Sequence, residues 1–173
     1  MRIVQRIYEC VGLISEWSGR AVSILVPALI LSIVYEVLSR YAFNAPTIWS
    51  YTVSYMMGTI VIALGMCYVY YHNANVRVDV IYSRLSAKGR LLIDTSVTVL
   101  LFFPLIFMLT KVWAEDAWHA YVVNEVPIQG IWYPPLWPLK LGITLGFALL
   151  LLQGMATFLK DLAALLKGGR QPW

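Results

Sequence analysis

Charge, cysteine and histidine are all scarce in this chain, and each shortage removes a class of function. Asp, Glu, Lys and Arg supply 13% of the 173 residues, where a soluble domain carries about 25%, so a water-facing exterior cannot be built from them. The two cysteines, Cys10 and Cys67, form no CxxC pair and fall on the side expected to be cytoplasmic. Thiols stay reduced there, which argues against a disulfide oxidase. The two histidines, His72 and His119, fall at opposite ends of the expected membrane segments and so cannot clamp one haem or complete one metal site. With no GxSxG elbow, phosphate loop or zinc-protease helix either, no enzyme, cofactor or metal site is expected.

What is abundant is apolar length. Hydrophobic residues make up 60% of the chain and the mean hydropathy is +0.72. Crossing a hydrocarbon core of about 30 Å takes about 20 mostly apolar residues, and the runs Ala21 to Leu38, Tyr51 to Tyr71, Leu91 to Thr110 and Leu136 to Phe158 come close to that. The expected fold is an all-α membrane protein with four transmembrane helices, at about 21–41, 50–71, 91–112 and 136–159, in a single integral membrane domain over 1–173. No repeat, linker or low-complexity stretch interrupts it.

Two connecting segments carry the spacing of helices that lie in a membrane surface. In 1–20, Ile3, Ile7, Cys10, Val11 and Ile14 recur at helical intervals while Arg2, Arg6, Glu9 and Glu16 fall largely on other faces, which predicts an N-terminal interfacial amphipathic helix. The competing reading is a solvated tail, and the same alternation fits docking against another membrane subunit. Between the second and third runs, Val78, Ile81, Tyr82 and Leu85 share one face, with Arg77, Arg84 and Lys88 free to meet headgroups. A cytoplasmic interfacial helix is expected there in preference to a strand, whose backbone groups would stay unpaired.

Ten of the thirteen cations lie before the first run, between the second and third, or after the fourth. Retention of Lys and Arg on the cytoplasmic side then places both termini in the cytoplasm. The net charge of +4 follows from that retention, and no nucleic-acid partner is expected. Trp49, Trp113, Trp118, Trp132 and Trp137 fall on the opposite side, where an indole sits between acyl chains and headgroups. The connection from Trp113 to Leu136 also carries Tyr121, Tyr133, Pro127, Pro134 and Pro135. A loop of this length is uncommon without a role; it is either an ordered surface receiving another protein or a loop folded back on its own helices.

Ionisable groups near the hydrocarbon are few: Glu36, Arg40 and Asp94. A charge at the bilayer centre costs at least ~2.5 kcal/mol, and these sit near helix ends, so local pairs Glu36 with Arg40 and Asp94 with Arg90 are expected. Packing signals are commoner. Gly142 and Gly146 form a GxxxG step, Gly58 and Gly65 lie two turns apart, and Pro27 and Pro104 predict kinks or distorted turns,.

The stretch Glu36, Arg40, Tyr41, Phe43, Asn44, Pro46, Thr47, Ile48 and Trp49, followed by Val76, Arg77, Val78, Asp79, Val80, Ile81 and Tyr82, strongly resembles the small membrane subunit of tripartite ATP-independent periplasmic (TRAP) transporters, the DctQ-like small permease. Trp113 and the run Pro134, Pro135, Leu136, Trp137, Pro138, Leu139, Lys140 are similar to that family too. The resemblance covers nearly the whole chain. Two positions depart from it: Thr52 stands where the family usually has glutamate and Asn75 where it usually has histidine, with His72 close by.

The resemblance implies a scaffold subunit bound to a large DctM-like permease that carries the substrate and sodium sites. It also implies a DctP-like periplasmic binding protein delivering an organic acid, and an inner-membrane location among lipids. Expected contacts with those partners are Arg40, Trp49, Trp113, Trp132 and Tyr133 outside, Gly142 and Gly146 within the bilayer, and Arg77 and Asp79 at the cytoplasmic surface. The alternative is a stand-alone four-helix exporter of the small multidrug type, which would want an acidic side chain at mid-depth.

Overall fold

A computed structural model of the chain describes residues 2–74, 87–128 and 132–166. The regular elements among those residues are all helical: α1 Arg2–Tyr41, α2 Ser50–Tyr71, α3 Ala87–Val97, a π-helical turn Thr98–Phe102, α4 Phe103–Val123 and α5 Trp137–Leu166. Four rods are long and apolar enough to cross a membrane, Val4–Tyr41, Ser50–Tyr71, Leu92–Val123 and Trp137–Leu165.

Asparagine ends three of these helices. Asn44, Asn73 and Asn124 adopt left-handed φ values of 51°, 52° and 50°, a conformation that the short amide side chain tolerates better than most. After α1, the Ala45 amide reaches back to the Ser39 carbonyl at 2.9 Å, and Pro46 two residues past Asn44 bars any further helix. After α4, the Glu125 amide bonds the Ala120 carbonyl at 3.0 Å.

The third rod contains the irregularity expected at Pro104. Proline has no amide hydrogen and its ring crowds the preceding turn; the turn before it widens to π geometry, with the Phe103 amide bonding the Thr98 carbonyl. Pro27, by contrast, is carried inside α1 without ending it.

The first helix differs from expectation. Residues 1–20 were expected as a separate segment in the headgroup plane, yet α1 runs unbroken through 40 residues, about 60 Å at 1.5 Å per residue. The reason is tertiary: Ser15 and Ser18 are buried, because this half of α1 packs on α2 and α5. The expected helix over 75–90 falls largely outside the described residues.

The last helix, α5, is the hub, packing against α1, α2, α3 and α4. A third of its most apolar stretch is buried (33%), whereas none of the corresponding stretch of α1 is. Around the hub the core is thin: Ala63, Leu139 and Ile143 are buried, flanked by Met56, Ile60, Trp113, Leu136 and Phe147. Long apolar faces of α1 and α4 stay uncovered, with Ile24 at 74% and Met108 at 65% exposure.

Candidate functional site

Close approach of α5 to α2 is made possible by glycine. A Cβ on Gly146 would stand 2.5 Å from the Ala63 carbonyl oxygen, and one on Gly142 would stand 3.3 Å from Ile60. The GxxxG step is thus met inside the chain, where Gly142 and Gly146 both face α2. Gly58 and Gly65 have no neighbour nearer than 4.0 Å to such a Cβ, so they are not points of close approach.

The tight glycines that went unnoticed in the sequence are Gly12, Gly19 and Gly154. The ring of Tyr71 lies on Gly12, that of Tyr68 on Gly19 and that of Phe102 on Gly154. Gly12 and Gly19 are seven residues apart, two turns of α1, and the rings come from adjacent turns of α2. Spacing on one helix alone could have suggested them, but the matching rings come only with the packing.

At the hairpin end, where α1 turns into α2, the Glu36 carboxylate is the organiser. It accepts from Arg40 Nη2 at 2.6 Å and Nε at 3.2 Å, from the Thr47 amide at 3.1 Å, and from the Thr47 hydroxyl. One acid therefore ties the last turn of α1 to the strap that leads into α2. Tyr35 stacks on Trp49 with ring centroids 5.8 Å apart, adding a second tie. Arg40 is half exposed there.

A second charged cluster closes the neighbouring connection. Lys140, in the first turn of α5, places its Nζ 2.8 Å from Asp116 on α4 and 2.6 Å from Glu125 in the loop, with its side chain only 12% exposed. The Leu136 amide also donates to the Glu125 carbonyl at 2.9 Å. The start of α5, the end of α4 and the loop are thereby fastened at one point. Two acids against one cation leave the cluster net negative, and charge-assisted bonds of this kind are the stronger sort. Nothing local joins these charges, since Asp116 and Lys140 are 24 positions apart in the sequence.

A neutral polar node lies where α1, α2 and α5 meet. The Ser15 hydroxyl is 2.9 Å from Gln153 Oε1, 3.0 Å from Cys67 Sγ and 3.1 Å from the Val11 carbonyl, and Cys67 Sγ is 3.4 Å from the Leu149 carbonyl. Ser15 and Gln153 are fully buried. Gln153 Nε2 has no hydrogen-bond partner among the described residues. Nothing in the node ionises readily, so it holds helices together in a place where an unmade bond is expensive. Gln153 carries no charge, so the signal of ionisable groups in an apolar run passes over it; an uncharged amide in such a run is the signal that marks it.

Trp113 packs on the Ala63, Leu139 and Ile143 core and is half buried within its own chain. Tyr133 is exposed and Trp132 half buried. Trp49 is 37% exposed. Arg77 and Asp79 lie outside the described residues, as does the Arg90 side chain of the expected pair with Asp94. Thr52, at the position where the resembled family has glutamate, is buried in the first turn of α2. Among the described residues no group of three or more His, Cys, Asp or Glu could hold a metal ion.

Residues 29–164 match the family of the DctQ component of tripartite ATP-independent periplasmic transporters. The chain belongs to the DctQ family. The matched region includes the Glu36 brace, the Lys140 cluster and both Cys67 and Gln153 of the polar node, but not Ser15. DctQ is one component of a three-component transporter, and a long multi-pass helical chain with thin internal packing is consistent with a component rather than a complete machine. No curated protein and no solved structure matches the chain.

Proposed function

We propose that this DctQ chain is the static small subunit of a sodium-coupled TRAP transporter in a bacterial inner membrane, with both termini in the cytoplasm. It holds a DctM-like large permease in place while that subunit carries the substrate and sodium sites, and it helps receive a DctP-like periplasmic binding protein that brings an organic acid. It performs no catalysis. The observation that carries this reading is the contrast between interior and surface. The buried node of Ser15, Cys67 and Gln153 is neutral and turned on itself, while apolar faces of α1 and α4 lie open. A driving subunit needs an acid or cation site deep in its bundle; a bracing subunit needs surface to give away.

On this reading, the residues presented toward the binding protein are Arg40, Trp49, Trp132 and Tyr133, on the connections braced by Glu36 and Lys140. Arg77 and Asp79 serve the cytoplasmic side. The test is to affinity-purify this chain coexpressed with a large TRAP permease and then reconstitute the pair. Expected are copurification and sodium-gradient uptake of an organic acid that depends on added binding protein. Replacing Trp132 and Tyr133 with Ala should raise the half-saturating concentration of binding protein. Gradient-driven solute movement by this chain alone would favour the small multidrug-type exporter and end the scaffold reading.

A further inference from the structure

Two solvent-directed ion pairs sit at almost the same height on opposite flanks of the bundle. On α1, Arg20 pairs with Glu16 at 3.5 Å, with side chains 66% and 37% exposed. On α4, Lys111 pairs with Glu115 at 3.6 Å, with side chains 66% and 68% exposed. The hub helix gives a common ruler. Ser15 meets Gln153 and Tyr8 meets Lys160, so Arg20 is level with Ala148. Phe102 meets Gly154 and Asp116 meets Lys140, so Lys111 is level with Leu145. Three residues of α5 correspond to about 4.5 Å of height.

Yet these pairs bound the hydrocarbon from opposite sides. The apolar run of α1, 21–38, lies on the hairpin side of Arg20, whereas that of the third rod, 92–110, lies on the other side of Lys111. An upright bundle would put at least one exposed pair inside the bilayer, at a cost of at least ~2.5 kcal/mol per charge at its centre. On the same ruler the middles of the two runs, near Ile30 and Leu101, stand level with Pro138 and Met155, about 26 Å apart along the bundle. Both must nevertheless lie near the middle of the membrane.

We infer that the bundle leans in the bilayer, so that lipid contacts it along an oblique apolar belt running from the outer half of α1 to the first half of the α3–α4 rod. Helix neighbours lie 8–10 Å apart, and two to three such steps separate α1 from α4 across the hub. An offset of about 26 Å over roughly 20–30 Å of width corresponds to a lean between about 40° and 52°, beyond the usual ~20°. Helix length agrees independently: α5 has 30 residues, about 45 Å, which is half as long again as an upright crossing needs. The lean also carries the Arg2 to Arg20 half of α1 out of the bilayer at a slant, so its charged residues skim the headgroups although the helix never breaks. This inference rests on membrane insertion alone and stands apart from the transporter reading.

Spin labels placed singly at Leu31 and Leu101 test it, both being lipid-facing at 68% and 64% exposure, in the full chain carrying Cys10→Ser and reconstituted in phosphatidylcholine and phosphatidylglycerol vesicles. Relative collision rates with oxygen and a water-soluble nickel chelate report depth. Expected are two labels near the bilayer centre with depths agreeing to within about 5 Å. Depths differing by about 26 Å, the upright arrangement, would overturn the inference. So would a label shielded from both reagents, since protein rather than lipid would then cover that belt.

Discussion

Replacing Gly146 with Ala tests how this chain holds itself together. The added methyl would stand 2.5 Å from the Ala63 carbonyl oxygen, 2.6 Å from its carbonyl carbon and 2.9 Å from its Cβ, whereas carbon and oxygen ordinarily approach to about 3.3–3.6 Å. Two of the three obstacles are backbone, so no side chain can swing away; α2 and α5 must part locally by close to 1 Å. A gap of that size forfeits a quarter to a half of each dispersion contact across it, and overpacking of this kind costs about 1–3 kcal/mol. Alanine's better helix propensity returns up to about 1 kcal/mol, leaving a net loss of about 1–2 kcal/mol, or roughly 5- to 30-fold in the folded-to-unfolded ratio. Trp113 rests on the same core, so its fluorescence on thermal unfolding in detergent reports the change. Gly58→Ala and Gly65→Ala serve as controls, because their nearest neighbours are 4.0 Å away and they should be neutral or slightly stabilising. If Gly146→Ala melts with those controls, the close approach of α5 to α2 is not what binds the hub.

Removing the cation of the outer cluster, as in Lys140→Met, leaves Asp116 and Glu125 facing each other without a counter-charge. Both acids are partly exposed, so the loss should be about 1–2 kcal/mol rather than the 3–5 of a fully buried pair, and it should appear as faster amide exchange over residues 124–136 with α1 and α2 unchanged. At the polar node, Cys67 is buried and Cys10 exposed: a maleimide should label Cys10 in the native chain while sparing Cys67. Gln153→Ala should open the site to labelling and destabilise the chain by about 1–3 kcal/mol. Equal labelling of both thiols in the unaltered chain would show that the node is not closed.

Legibility differed sharply between the helices and their contacts. The four crossings could be read from run length alone, because a hydrocarbon core about 30 Å thick admits only long apolar helices and backbone satisfaction forbids most alternatives. The stop signals were local too, with Asn44 and Pro46 closing α1 within six residues. Glu36 with Arg40 was legible because one helical turn separates them, but the capture of Thr47 by the same carboxylate depends on the fold of the strap between.

Residue pairs far apart in sequence could not be foreseen. Gly146 reads as an adhesive step whichever helix it meets; only the register of α5 on α2 decides that its neighbour is Ala63 of the same chain, and that Trp113 turns inward. The N-terminal segment has the periodicity of an interfacial helix, and the same periodicity serves a helix packed on one face, so Ser15 meeting Gln153 and Cys67 decided between them. Composition and run length determined that this chain has four helices long and apolar enough to cross a membrane, since those follow from the cost of placing charge and bare backbone in lipid. Which faces meet, how the helices are staggered, and therefore how the bundle stands in the bilayer were decided by side-chain fit between helices, a property no single segment contains.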